Sequence, residues 1–107
     1  MVELVKTSGN AVVVKLNVDR ATMANVENFK TSISEIVDKY TKVIIDLSPV
    51  SFVDSVFLGA FVVVLKRLSA KNGELVLTGL QPSVQKLFEM TRMDKIIIIK
   101  TSVEEAI

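Results

Sequence analysis

Hydrophobic and polar residues follow two periods along the first half of the chain, one typical of strands and one typical of helices. Residues 2–6 and 11–18 are valine-rich runs on either side of Gly9-Asn10, two residues that tolerate positive φ, and this predicts a β-hairpin. The polar segment that follows predicts the start of a helix, with Asp19 or Thr22 as its N-cap. The apolar positions of this helix recur at helical spacing: Val26, Phe29, Ile33, Ile36 and Val37.

The second half alternates short apolar runs with helical segments. Residues 42–47 predict a central strand buried on both faces, and residues 48–53 predict a loop or a short extended piece, because Pro49 cannot donate to a sheet. A helix is predicted over residues 56–65, with Asp54 as its N-cap and basic residues near its end. One stripe of this helix is apolar: Phe57, Phe61, Val64, Leu65 and Leu68.

The remaining segments complete the predicted fold. Residues 74–78 predict a strand, Pro82 the first turn of a helix, residues 96–99 a buried strand, and Ser102 the N-cap of a short terminal helix. From the third strand onward strands and helices alternate, which implies parallel neighbours joined by right-handed crossovers. The fold class is therefore predicted as α/β: a small sandwich forming one domain over residues 1–107, with a mixed, mostly parallel sheet, the first strand at an edge and helices mainly on one face.

Composition removes several classes of function. The 107 residues include 13 basic and 12 acidic ones, with a net charge of +1 and no basic block, so there is no electrostatic footprint for nucleic acid. The chain has neither histidine nor cysteine, which excludes histidine triads, thiol nucleophiles, disulfides and imidazole or thiolate metal sites. The carboxylates of Asp46 and Asp54 are weak evidence for a cation site. We expect no catalytic residue, no metal and no cofactor, and hence a protein that is not an enzyme.

The sequence pattern predicts neither a signal peptide nor a membrane-spanning segment. Residues 1–10 lack the apolar core of a signal peptide, and the longest apolar run, residues 56–65, is about half the length of a bilayer span. We therefore expect a cytoplasmic protein that does not enter a membrane. The start of the 56–65 helix is nonetheless apolar nearly all round, which suggests a protein partner.

Two strand-to-helix junctions carry the candidate chemistry. If Asp54 caps the second helix, Ser55 lies in its first turn, where free N–H groups and the helix dipole would stabilise a phosphate on its hydroxyl. The alternative is that Ser55 only helps to cap the helix. Asp19, at the other junction, is either a recognition carboxylate or an ordinary cap. A hydrolase with Ser55 as nucleophile lacks a base, because the chain has no histidine.

The sequence around Ser55 resembles that of a known family. Residues 46–59 read DLSPVSFVDSVFLG. This is similar to the signature of STAS-domain anti-sigma-factor antagonists of the bacterial sporulation and stress-response type, in which a hydrophobic strand ending in Asp-Leu leads through a Val-Ser-aromatic segment into Asp-Ser-x-Gly-Leu-Gly. The resemblance extends over almost the whole chain, with further matches at Asp19, at Gly79-Leu80-Gln81-Pro82 and at Met93-Asp94-Lys95-Ile96.

The resemblance implies a regulatory binding protein. An anti-sigma factor, itself the serine kinase that uses ATP, would phosphorylate Ser55. The unphosphorylated chain would capture this anti-sigma factor and free a sigma factor, and a metal-dependent serine phosphatase would restore capture. We expect a monomer or a weak dimer. The residues expected at the partner surface are Asn17, Asp19, Asp54, Val56, Phe57, Leu58 and Gly59.

Two single positions and one stretch depart from the family pattern. Phe57 stands where the family has glycine, Val56 stands where it has a small or hydroxyl residue, and Leu16-Asn17-Val18-Asp19 replaces a Gly-acidic-Leu-Asp stretch. A glycine beside the acceptor lets another backbone approach closely, whereas Phe57 is expected to add an apolar knob to the surface. The alternative function is therefore a non-phosphorylated STAS-like scaffold, or a small-ligand-sensing module, in a signalling assembly.

Overall fold

The computed structural model describes residues 1–107 as seven strands and four helices. The strands are β1 (Val2–Ser8), β2 (Ala11–Leu16), β3 (Arg20–Ala21), β4 (Lys42–Asp46), β5 (Phe52–Val53), β6 (Glu74–Thr78) and β7 (Ile98–Lys100). The helices are α1 (Val26–Lys39), α2 (Ser55–Ser69), α3 (Pro82–Met90) and α4 (Val103–Ala106). None of these helices has the length and hydropathy that a bilayer crossing requires.

Five strands form one sheet in the order β1-β2-β4-β6-β7. β1 pairs antiparallel with β2 through the predicted hairpin, and the other neighbouring strands are parallel. The parallel pairing follows from the intervening helices, since each one returns the chain to the edge of the sheet where the next strand begins. The predicted α/β class, with a mixed and mostly parallel sheet and β1 at an edge, is confirmed.

The two faces of this sheet are covered unequally, as predicted. α1, α2 and α3 enclose the main hydrophobic core on one face. The fully buried aromatic residues of this core are Phe29, Phe57, Phe61 and Phe88. The other face carries α4, whose Ala106 packs against Val13, Ile44 and Val76, three residues that pair in register across β2, β4 and β6.

The predicted cap of α1 is wrong. The helix begins at Val26, and its N-cap position is Asn25 without a side-chain capping bond. Thr22 Oγ1 instead accepts from the N–H of Ala24, only two residues further on (3.2 Å). Both Asp19 and Thr22 therefore precede the helix as parts of the connection from β2.

The predicted extent of two strands is also wrong. β2 ends at Leu16 rather than at residue 18. The buried strand predicted over residues 96–99 is instead the short β7, in which Ile98 is 41% exposed; Ile96, before it, is 53% exposed, and only Ile97 of the four isoleucines is buried. The reason is that β7 lies at the edge of the sheet, where one side of the strand has no neighbour.

A second, two-stranded sheet of β3 and β5 is not predicted by the sequence pattern. Backbone hydrogen bonds extend its parallel pairing at both ends: the N–H of Ser51 donates to Asp19 O (2.8 Å), and the N–H of Asp54 donates to Ala21 O (3.0 Å). This small sheet joins the segment after β2 to the segment that leads into α2. It thereby brings the two strand-to-helix junctions of the sequence together.

Candidate functional site

Asp54 holds the start of α2 with both of its carboxylate oxygens. Its backbone is extended, and its Oδ1 accepts from the N–H of Phe57 (2.8 Å), so the predicted N-cap is confirmed. Its Oδ2 accepts from the N–H of Met23 (2.8 Å), in the loop that follows β3. One side chain therefore caps the helix and also fixes a segment that is 31 residues away in the sequence.

Ser55 is the first residue of α2, and it is exposed. The N–H groups of the first turn have no acceptor within a helix, and they carry its partial positive charge outward. Because Asp54 makes the side-chain cap, the Ser55 hydroxyl is not required for capping. The structure thus separates the two roles that the sequence left open: Asp54 closes the helix end, and the Ser55 hydroxyl faces solvent at an anion-favouring position.

Asp19 lies on the same surface through its contact with the segment before α2. Its Oδ1 accepts from the hydroxyl of Ser51 (2.6 Å), and its backbone O accepts from the Ser51 N–H. Asn17 is placed differently, because its side-chain amide donates to Glu3 Oε1 of β1 (2.5 Å). The structure therefore holds Asp19 against Ser51, in the segment that leads to α2, and it directs the side chain of Asn17 toward β1.

Two of the residues expected at the partner surface are buried. Phe57 is 0% exposed, and its ring packs against Phe29 (4.8 Å between centroids) and Phe61 (5.4 Å). Leu58 is 8% exposed and belongs to the same core. The expectation that Phe57 forms an exposed apolar knob is wrong, because position 57 lies on the stripe of α2 that faces the sheet.

Val56 and Gly59 are the exposed positions of the first turns of α2 after Ser55. Val56 is 45% exposed. A Cβ added at Gly59 would have no atom within 4 Å, so the glycine leaves open space above the helix rather than a tight internal contact. Both positions remain available on the surface that contains Ser55.

Sequence reasoning missed three residues of this surface: Arg20, Met23 and Phe52. Met23 is 70% exposed and Phe52 is 40% exposed, although both are apolar. The guanidinium carbon of Arg20 lies 4.2 Å from the centroid of the Phe52 ring, a cation–π contact across β3 and β5. We call Met23, Phe52 and Val56 the apolar patch; these exposed apolar residues lie after β3, in β5 and at the start of α2, in segments that the β3–β5 pairing joins. The sequence offered only the pair Phe52-Val53, between Pro49 and Asp54, as a sign of a strand here. Two residues are too few to show a strand period.

No group of three or more acidic, histidine or cysteine side chains is arranged to hold a metal ion. Asp46 and Asp54 each use a carboxylate oxygen for a backbone N–H, that of Ser48 in the first case (2.9 Å) and that of Phe57 in the second. Ser55 is thus an exposed residue next to the Asp54 carboxylate, which two backbone N–H groups fix in place.

Comparisons with known proteins identify the family of the chain and its fold. The family model described as "STAS domain" matches residues 3–106. The anti-sigma-B factor antagonist of Listeria monocytogenes is 48% identical over 56 residues, which are 52% of this chain and 49% of the relative. In that match the chain spans about half the length of its relative. A Thermotoga maritima protein assigned as an anti-sigma factor antagonist is 33% identical over 87 residues, 77% of each chain.

Solved structures share the fold. The anti-sigma factor antagonist SpoIIAA in its unphosphorylated form has a TM-score of 0.81 with 24% identity, over 99% of this chain and 92% of the other. The Bacillus cell fate determinant SpoIIAA in the phosphorylated form has a TM-score of 0.74 with 23% identity, over 99% and 96% of the two chains. At this level of identity the likeness establishes the fold.

Proposed function

The chain belongs to the STAS domain family, and on this basis we propose that it is an anti-sigma-factor antagonist that captures an anti-sigma factor until Ser55 is phosphorylated. The relatives named above carry the antagonist role in their names, and one structural neighbour has been solved in a phosphorylated form. The anti-sigma factor is the serine kinase in this proposal, and a serine phosphatase reverses the modification. The chain itself supplies a surface and an acceptor hydroxyl rather than a catalytic group.

The observation that carries the proposal is the position of Ser55. Its side chain is exposed at the first residue of α2, while Asp54 already caps the helix. A kinase can therefore approach the hydroxyl without breaking a contact that holds the fold. The phosphoryl group would then lie next to the free N–H groups of the first helical turn, which favour an anion.

Phosphorylation would change the surface by charge. A phosphoserine adds about 1.5 to 2 negative charges at neutral pH. These charges would lie between the carboxylate of Asp54 and the exposed side chain of Val56, on a surface where an apolar partner must exclude water. A partner that docks on the apolar patch would have to desolvate the phosphate, so capture would weaken.

The test is incubation with ATP and the anti-sigma kinase that binds the chain, followed by intact-mass and peptide mass spectrometry. We expect one phosphoryl group, at Ser55. Ser55→Ala should abolish the modification, whereas Ser83→Ala should not, and the latter is a matched control because Ser83 is also exposed in the first turn of its helix, α3. An unmodified mass with a kinase shown to bind would refute phosphorylation at Ser55.

The same kinase gives a second readout. Ser55→Asp should weaken its binding by about tenfold or more, because the added charge lies inside the contact surface, and Ser55→Ala should leave binding unchanged. Equal affinities of these two variants, measured by titration calorimetry, would contradict the charge switch.

One observation favours a second candidate function, a non-phosphorylated scaffold. Val56 is 45% exposed immediately beside Ser55, and with Met23 and Phe52 it presents apolar area that suits a permanent contact. In that case the chain would assemble with copies of itself or with other STAS-like domains, and Ser55 would stay unmodified.

A further inference from the structure

The connection between α2 and β6 contains the dipeptide Asn72-Gly73, which can react with itself. The backbone nitrogen of Gly73 can attack Cγ, the carbonyl carbon of the Asn72 side chain. A C–N bond forms, the side-chain amide leaves as ammonia, and the two residues become a cyclic succinimide. Glycine favours this ring closure, because it has no Cβ to hinder the approach and its backbone rotates more freely than that of any other residue.

Water completes the reaction by opening the succinimide at either of its two carbonyl groups. One opening converts Asn72 into aspartate. The other produces isoaspartate, in which the main chain runs through Cβ and Cγ of the former side chain and is one carbon atom longer. Both products carry a carboxylate in place of a neutral amide. The reactants are water and hydroxide, which removes the amide proton of Gly73.

In the folded chain the Gly73 nitrogen is engaged at the end of α2. Its N–H donates to Leu68 O (2.7 Å), and the N–H of Asn72 donates to Ser69 O (3.1 Å). These two bonds form the Schellman pattern that ends many helices, with Asn72 at the position of positive φ, here +61°. The attack requires the Gly73 nitrogen to lose the proton that it donates to Leu68 O, so this hydrogen bond has to break first.

A second set of contacts fixes the same turn against Thr41, the residue before β4. A Cβ placed on Gly73 would overlap Thr41 O and would lie 3.1 Å from Leu68 O. The N–H of Glu74 donates to the same Thr41 O (2.8 Å). A main chain that is one carbon atom longer at residue 72 would displace Gly73 and Glu74, because the space beside Gly73 is already filled by backbone.

We propose that Asn72-Gly73 is a deamidation site that the folded chain protects and the unfolded chain exposes. A chain that has unfolded then acquires isoaspartate at residue 72 and does not regain its full stability. Asn72 is exposed to solvent, so water and hydroxide reach it in both states, and the protection comes from the hydrogen bond of Gly73. The site lies at the end of α2 opposite to Ser55, and it does not depend on the proposed function.

The first test compares the full-length protein, folded and unfolded, in a mildly alkaline buffer. The unfolded sample contains guanidinium chloride above the unfolding transition, and the folded sample contains sodium chloride at the same ionic strength. Peptide mass spectrometry follows the exchange of amide for acid at each asparagine. Every other asparagine precedes a residue with a Cβ and serves as an internal reference in the same digest: Asn10, Asn17, Asn25 and Asn28.

In the unfolded chain Asn72 should deamidate about tenfold or more faster than any of these references, because only Asn72 precedes glycine. In the folded chain the rate at Asn72 should fall by about tenfold or more, since the bond to Leu68 O has to open. Equal rates at Asn72 in the two samples would overturn the protection. A rate no higher than that of the references in the unfolded chain would overturn the site itself.

The second test measures the stability of the products after refolding. Chains with isoaspartate at residue 72 are isolated by chromatography, assigned by peptide mapping and unfolded in urea. Asn72→Asp is the matched control, because it adds the same charge without lengthening the main chain. The isoaspartate chain should have an unfolding equilibrium constant about tenfold or more above that of Asn72→Asp, or should fail to refold, since the turn loses its backbone hydrogen bonds. Superimposable unfolding curves of these two proteins would overturn the loss of stability.

Discussion

At residue 57 the chain has a phenylalanine where the STAS-domain antagonists have glycine. Its position on the helix determines whether this side chain is buried or exposed. Positions 57, 61, 64 and 68 follow one another at the spacing of one helical face, and all four residues are buried. A glycine at this position would leave the backbone accessible to a partner. Phe57 instead fills space in the core, where it packs against Phe29 and Phe61. The departure from the family pattern belongs to the packing of α2 against the sheet and α1.

Phe57→Ala should lower the free energy of unfolding by about 3 to 5 kcal/mol, because it leaves a cavity among aromatic rings. Val56→Ala, at the neighbouring exposed position, should change it by no more than about 0.5 kcal/mol. Urea unfolding of the two variants provides the comparison. If Phe57→Ala were as mild as Val56→Ala, the burial of Phe57 in solution would be contradicted.

The sequence contained enough to place Phe57 correctly. The apolar stripe that predicted α2 includes Phe57, Phe61, Val64 and Leu68, so the period itself assigned this residue to the core. The comparison with the glycine of the family pattern led instead to the expectation that Phe57 is exposed. A period over several turns is the stronger guide, since it reflects the whole packed face rather than one substitution.

At the scale of elements, long periodic segments were predictable and short ones were not. α1, α2 and the central strands β4 and β6 each have enough residues to show their period, and α2 also shows its N-cap, Asp54. β3 and β5 have two residues each, and each pairs with a segment that is distant in the sequence. No local pattern can reveal such a pairing, and Asp19, which contacts Ser51, was therefore offered as a possible cap of α1.

The strand order predicts a gradient of amide protection across the main sheet. Backbone amides of β4 and β6 should exchange with deuterium most slowly, because both strands are central and buried. Amides of β7 should exchange faster, since it is three residues long and at an edge. Hydrogen exchange followed by NMR measures this order directly, and protection of β7 equal to that of β6 would contradict edge placement.

At the scale of the whole molecule, both edges of the sheet resist further strand pairing. β1 carries an irregularity between Leu4 and Lys6, and an exposed lysine at position 6, both of which hinder pairing with another chain. β7 is short, as described above. These features disfavour pairing of either edge with a strand of another chain, although β1 also exposes Leu4 and Val5 and β7 exposes Ile98.

Size-exclusion chromatography with light scattering separates the antagonist from the scaffold. The antagonist alone should elute as a monomer or weak dimer and should shift only when its anti-sigma factor is added. A stable large oligomer of the chain alone would favour the scaffold. Val56→Glu serves as the matched variant: it should abolish the shift in the first case and break the oligomer in the second, since either contact uses the apolar patch.

Asp54 also has a consequence for the order of folding. Its two carboxylate oxygens join Phe57 and Met23, so the surface around Ser55 exists only after a long loop has closed and β3 has docked beside β5. A nascent or partly unfolded chain displays the same serine without the neighbouring apolar patch or the ordered helix start. A kinase that recognises this surface would phosphorylate folded molecules and would not phosphorylate partly unfolded ones. Docking of the β3 segment would then have to precede phosphorylation.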